Sequence, residues 1–325
     1  ACNISQEVNG VSWLHGKVSQ DILAKMWPGY LPEELHVGYV TNGVHYPTWT
    51  APQWKEVHAR VFGDEFKTHK YDKECFNGIY EVKDAEIWSI RQDLRTRLIK
   101  SVKKRLSDPG ASSHYSPQHI VEIKNTLRDD VLTIGFARRF ATYKRAHLLF
   151  RDLDRLSAIV NNPKRPVQFL FAGKAHPADK AGSDLIKKIV DISKMPQFIG
   201  KIVFVPNYDI NVAKYLVQGV DVWMNNPTRP LEASGTSGEK AAMNGVMHFS
   251  VLDGWWVEGY KEGAGWALPM ERTYDDQNFQ DELDAATIYN IIENEIAPTY
   301  YDVSPVTGLP VDWIKIIKNC VAQVA

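Results

Sequence analysis

The sequence predicts an α/β protein built on a parallel sheet covered by helices on both faces. Three observations carry that expectation. Five short runs are almost wholly apolar rather than alternating, as strands buried on both sides are: VLTIGFA (131–137), VQFLFAG (167–173), KIVFVPN (201–207), VDVWMNN (220–226) and MHFSVLD (247–253). Most are separated by segments of helical period, among them YKRAHLLFRDLDRLSAIV and DKAGSDLIKKIVDISKM. Polar residues follow each run directly, and sheets of this kind bind ligands beyond the carboxyl ends of their strands. Candidate site positions are therefore Arg138, Arg139, Gly173, Lys174, Tyr208 and the stretch 230–245.

The other elements follow in order. The chain opens ACNISQEVNGVSWLHG, without methionine, charged leader or apolar core, so a piece of a longer protein is expected. In IWSIRQDLRTRLIKSVKKRL (87–106), Ile90, Leu94, Leu98, Val102 and Leu106 recur every four residues. That spacing predicts an amphipathic helix whose opposite, basic face is solvated. SDPG breaks it, and residues 107–118 read as a loop that holds His114, with His119 just beyond and no further ligands nearby. ATIYNIIENEIAPTYYD and VDWIKIIKNCVAQV read as two terminal helices divided by a Pro/Tyr turn.

Composition bounds the function. The 325 residues suffice for one large domain or two ordinary ones, and 44% apolar with 24% charged residues is a globular mixture. A net charge of −1 offers nucleic acid or an anionic membrane nothing to hold. No apolar run is long enough for a bilayer span. Cys2, Cys75 and Cys320 are odd in number and lack metal-type spacing, which points to reduced thiols in the cytoplasm and to no metal site.

Two clusters could do chemistry. EASGTSGEK (232–240) sets Gly, Ser and Thr before a helix, where backbone N–H groups favour anions; Gly235 and Gly238 allow close approach. It is neither a Walker loop nor a GxGxxG motif. By itself it reads first as a helix capped by Ser or Thr with an exposed Lys240. ARRFATYKR (137–145) crowds Arg138, Arg139, Lys144 and Arg145 at a strand end. Arg forks and a Lys point charge suit a phosphate, but a solvated basic turn fits equally. His15, His45, His147 and His176 read as ordinary polar or core residues.

VNGVSWLHGKVS, YVTNGVHYPTW, RRFATYKR, FAGKAHPAD, VPNYDINVAKYL, EASGTSGEKAAMNG and LDGWWVEG occur in an order that resembles the α-glucan (glycogen, maltodextrin) phosphorylases, most closely the short bacterial and archaeal branch. The resemblance runs the length of the chain. It implies the second, Rossmann-like half of a glycosyltransferase B-type fold, with 1–325 as the cofactor- and phosphate-binding domain. Helices from about 285 are then expected to pack back toward an N-terminal domain that this chain lacks. By the same resemblance Lys240 carries pyridoxal 5'-phosphate as a Schiff base, with Thr236, Tyr208 and Gly235 at the cofactor. Arg139 and Lys144 bind the substrate phosphate, and Asn9, Glu232, Ser234 and Gly235 bind glucose. The implied partners are α-glucan, inorganic phosphate, glucose 1-phosphate and the N-terminal half; homo-oligomerisation is compatible with the sequence. Asp209 stands where the large animal and plant enzymes carry arginine, and SGEK replaces their GNMK. The isolated chain is expected to expose its cleft and turn over slowly. A nucleotide-sugar glucosyltransferase of the glycogen-synthase kind has no need of Lys240. A noncatalytic glucan-binding module makes Arg139 and Lys144 incidental.

Overall fold

A computed structural model describes residues 2–63, 66, 73–108, 114–269 and 274–325. A small first unit pairs β1 (Val8–Gly10) in parallel with β2 (Val37–Tyr39) across α1 (Trp13–Leu23). Next come α2 (Tyr46–Trp49), α3 (Pro52–Phe62), α4 (Asp84–Leu106) and α5 (Pro117–Thr126). The main sheet then alternates with helices: β3 (Leu132–Arg139), α6 (Leu153–Val160), β4 (Val167–Lys174), α7 (Lys180–Ser193), β5 (Ile202–Val205), α8 (Ile210–Gly219), β6 (Val222–Asn225), α9 (Thr236–Ala242), β7 (Met247–Val251), α10 (Trp256–Gly259) and β8 (Trp266–Leu268). The chain closes with α11 (Gln277–Ile291), α12 (Ala297–Tyr301) and α13 (Val311–Gln323).

All six main strands run parallel in the order β5-β4-β3-β6-β7-β8. Successive excursions go one way from β3 and the other way from β6, so the crevice beyond these two strand ends is the topological switch point. The continuous apolar runs are explained by burial on two faces. On β4, Phe169 and Phe171 join one core while Leu170 and Ala172 join the other; on β5, Ile202 and Phe204 part from Val203 and Val205 in the same way. Each such side chain contributes about 1.5–3 kcal/mol by leaving water. The terminal helices cover the first face, where Trp313 lies 5.7 Å from the Trp266 ring and 5.0 Å from that of Tyr300.

Three expectations need correction. Of residues 143–160, only Leu153–Val160 is α-helix; two short 3₁₀ turns precede it. Arg145 stands between them at φ 47°, a left-handed conformation that interrupts a helix, held there by Asn226 O, Pro227 O and Asp281. Loop 107–118 gives way at Pro117 to α5, whose start is capped by the Ser116 hydroxyl accepting from His119 N; residues 109–113 lie outside the described residues. The basic face of α4 is not wholly solvated either. Arg91 and Arg95 are each 1% exposed. Arg95 donates to Asp221 at 2.6 Å, and Arg91 to Gln218 O, Val220 O and Asn244 O around the carboxyl end of α8. Among the described residues no helix is long and apolar enough to cross a membrane.

Candidate functional site

The switch point holds a buried ion cluster. β3 delivers Arg138 at its end, and the turn after it delivers Lys144; β6 ends in Asn225 and hands over to the loop that carries Glu232. Lys144 Nζ donates to Glu232 Oε2 at 2.5 Å, Arg138 Nη1 at 3.3 Å and Asn225 Nδ2 at 3.4 Å. All three charged residues are buried, at 7–8% exposure. Burial alone raises a carboxyl's proton affinity, but Arg138 and Lys144 override it and hold Glu232 below its ordinary value. Burial lowers Arg138, with Glu232 opposing. Around this cluster Arg138 Nε, Asn225 Oδ1 and Ser234 Oγ are buried and have no hydrogen-bond partner among the described residues. Native proteins rarely leave such atoms unmatched.

The same loop runs on into α9. Its N-cap is Gly235 at φ 88°, which a side chain rarely adopts, and among the described residues no side chain caps the helix start. The sequence reading of a Ser or Thr cap is therefore corrected: Ser237 Oγ instead accepts from Trp223 Nε1 at 3.0 Å. Nor is Lys240 exposed. It is half-buried with Nζ 4.2 Å from the centre of the Trp49 ring, and desolvation lowers its pKa despite Glu239. Glu239 is itself buried with both oxygens unpartnered among the described residues, and burial pushes it up to about 7. Gly238 is needed for a close approach, since a Cβ there meets the His248 ring at 2.8 Å.

The remaining candidates spread outward. Arg139 is exposed and, with Lys174, His176 and Tyr208, lines a cavity of about 320 Å³ over the ends of β3 and β4. Tyr208 is half-buried and its phenol raised by burial. Asn9 is exposed on β1. Its unit reaches the loop through neighbours: Ser12 Oγ donates to Ala233 O at 2.8 Å, and Trp13 N and Thr41 Oγ1 donate to Glu258. Arg145 leaves the crevice cluster for Asp281 and Asp284 on α11. The sequence reading missed Trp49, which carried no signal beyond its place in YVTNGVHYPTW, and the burial of Arg138, whose signal was its position one residue inside the strand end.

This arrangement can bind anions on paired cations beside a polar loop, and the same loop leads into a helix that carries an amine with lowered proton affinity. Fold and site together define a Rossmann-like domain of the glycosyltransferase B type. Residues 1–265 match the carbohydrate phosphorylases, and the chain belongs to that family. It is 43% identical to the glycogen phosphorylase of Aquifex aeolicus over 99% of its length and 45% of the relative's. Identity is 40% to the maltodextrin phosphorylase of Thermococcus litoralis, over 99% of this chain and 37% of that one. It is also 40% to the glycogen phosphorylase of Mycobacterium tuberculosis, over 97% and 36%. The chain thus spans less than half the length of these relatives.

Proposed function

We propose that the chain forms the catalytic C-terminal half of an α-1,4-glucan phosphorylase, which cleaves glycogen or maltodextrin with inorganic phosphate to give glucose 1-phosphate with retained configuration. One observation supports this above all: Glu232, which Lys144 and Arg138 hold in a buried cluster at the switch point, lies on the loop that leads into α9 and its half-buried Lys240. The residues fit pyridoxal 5'-phosphate. A partly desolvated amine against an indole face suits an aldehyde, and a helix start closed only by Gly235 leaves donors for an anionic tail. Lys240, Gly235, Thr236 and Tyr208 would hold it. When bound, the cofactor supplies a phosphate that assists proton transfer by the substrate phosphate.

The chain's own groups do the rest. Arg139 and Lys144 bind the substrate phosphate and offset repulsion between neighbouring dianions, about 4 kcal/mol per unit-charge pair at roughly 4 Å in partly screened surroundings. Asn9, Glu232, Ser234 and Gly235 fix the glucose unit. The substrate phosphate gives its proton to the glycosidic oxygen, the C1–O bond breaks, and a phosphate oxygen bonds to C1 on the same face. Glu232 serves as a sugar binder rather than a nucleophile, because Lys144 and Arg138 stabilise its charge. The N-terminal half is the required partner, and a cytoplasmic setting suits Cys2, Cys75 and Cys320, which form no disulfide among the described residues. Borohydride reduction of the full-length protein, followed by peptide mass mapping, is expected to place a pyridoxyl group on Lys240. An unmodified Lys240 with no pyridoxal absorbance removes the proposal.

A further inference from the structure

Glu232 has two claimants. In the function proposed above it binds sugar hydroxyls, yet its Oε2 takes donors from Lys144, Arg138 and Asn225 at once. A phosphate approaching Lys144 meets a carboxylate already in contact with that ammonium. The loop backbone is pinned: Glu232 N donates to Asp253 at 2.9 Å, and Trp255 N to Ser234 O at 2.8 Å. With the backbone held, any exchange of partners has to come from the Glu232 side chain. Its surroundings are incomplete, since Arg138 Nε, Asn225 Oδ1 and Ser234 Oγ await partners.

We propose that Glu232 is an internal stand-in anion for the phosphate site, resting on Lys144 and Arg138 until a sugar hydroxyl draws it away, so that sugar and phosphate favour each other's binding. The proposal rests on the phosphorylase reading of the site and adds a coupling between its two ligands. The coupling is reciprocal: whatever factor glucose gives phosphate, phosphate gives glucose. It also makes the cations available mainly when a sugar is in place, which keeps the site from filling with stray anions.

The test uses the full-length, cofactor-loaded protein, with inorganic phosphate and free glucose as probes in titration calorimetry. In the parent protein, saturating glucose is expected to tighten phosphate by roughly tenfold, within the usual range of coupling between sites. Glu232→Gln keeps the shape and removes the competing charge. It is expected to bind phosphate alone roughly tenfold more tightly than the parent, and to lose the glucose effect. Glu232→Asp, one methylene shorter and still charged, is expected to fall between, and it answers the question if the Gln variant does not fold. Phosphate binding in Glu232→Gln that is no tighter than in the parent, or a parent that ignores glucose, overturns the proposal. Lys144→Met separates the two levels: full phosphate affinity in that variant overturns the phosphate assignment itself, whatever Glu232 does.

Discussion

Replacing Asp221 by asparagine removes one negative charge from a place where two guanidinium groups depend on it. Asp221 Oδ1 accepts from Arg95 Nη1 at 2.6 Å and lies 4.0 Å from Arg91, while Oδ2 accepts from Thr133 N at 2.9 Å. Asp221 and both arginines are 1% exposed. Among the described residues their remaining donors reach carbonyls, Asp129 O among them, and the Arg95 guanidinium sits 5.6 Å from the rings of Trp88 and Tyr300. Burial alone lowers Arg95; Asp221 reverses that and holds it above its ordinary value. Asparagine keeps the outline and leaves two buried cations without a counter-ion, a change that costs about 3–5 kcal/mol. At about 2.1 cal/mol/K per residue, unfolding 325 residues carries about 0.7 kcal/mol/K of entropy, so the melting temperature should fall by about 4–7 °C. Calorimetry or circular dichroism reads this directly. The drop should be nearly the same at low and high salt, because water does not screen the pair. A second leg, Arg95→Met alone and with Asp221→Asn, should show a coupling of about 0.5–3 kcal/mol. A fall below about 1.5 °C, or one that salt erases, would mean the charges are solvated, and the account of this core would fail.

Three further outcomes can be checked. Gly238→Ala forces a methyl against the His248 ring and should destabilise by about 1–3 kcal/mol, read as a lower denaturant midpoint; an unchanged midpoint contradicts the close packing. Glu239 is favoured as the neutral acid, chiefly by burial, with Lys240 opposing and Glu258 adding. Its contribution to stability is therefore full below the ordinary carboxyl value and lost as pH rises through about 7. Glu239→Gln should melt with the parent at about pH 5 and above it at about pH 8, and parallel curves would rule this out. In the full-length protein the proposed phosphate role of Arg139 requires that Arg139→Ala raise the phosphate KM at least tenfold, the loss of a charge-assisted bond of about 1.5–3 kcal/mol, with melting unaffected because the side chain is exposed.

The sheet was legible because strands buried on both faces leave an unbroken apolar trace, and each of the five runs holds a strand. Periodicity shows which side of a helix is oily but not what meets the other side. Arg91 and Arg95 looked solvated because their counter-ion, Asp221, stands far along the chain. Arg145 escaped for a related reason: its carboxylates arrive from α11. The loop 232–240 announced itself by composition, yet whether Gly235 or a hydroxyl closes the helix depends on one backbone angle that neighbouring structure imposes. Trp49 became informative only once folding laid its ring beneath Lys240.

β3 and β6 are hydrogen-bonded neighbours through Ile134–Val222 and Gly135–Trp223, although two strands and three helices of chain separate them. Lys144 and Arg138 come from one side of that seam, Glu232 and Lys240 from the other. A molecule caught with either half-sheet formed but the seam unzipped has no ion cluster to offer, and closing so long an intervening loop is slow work for a parallel pair. Any ligand that binds this cluster therefore stabilises, by mass action, only chains whose halves have met.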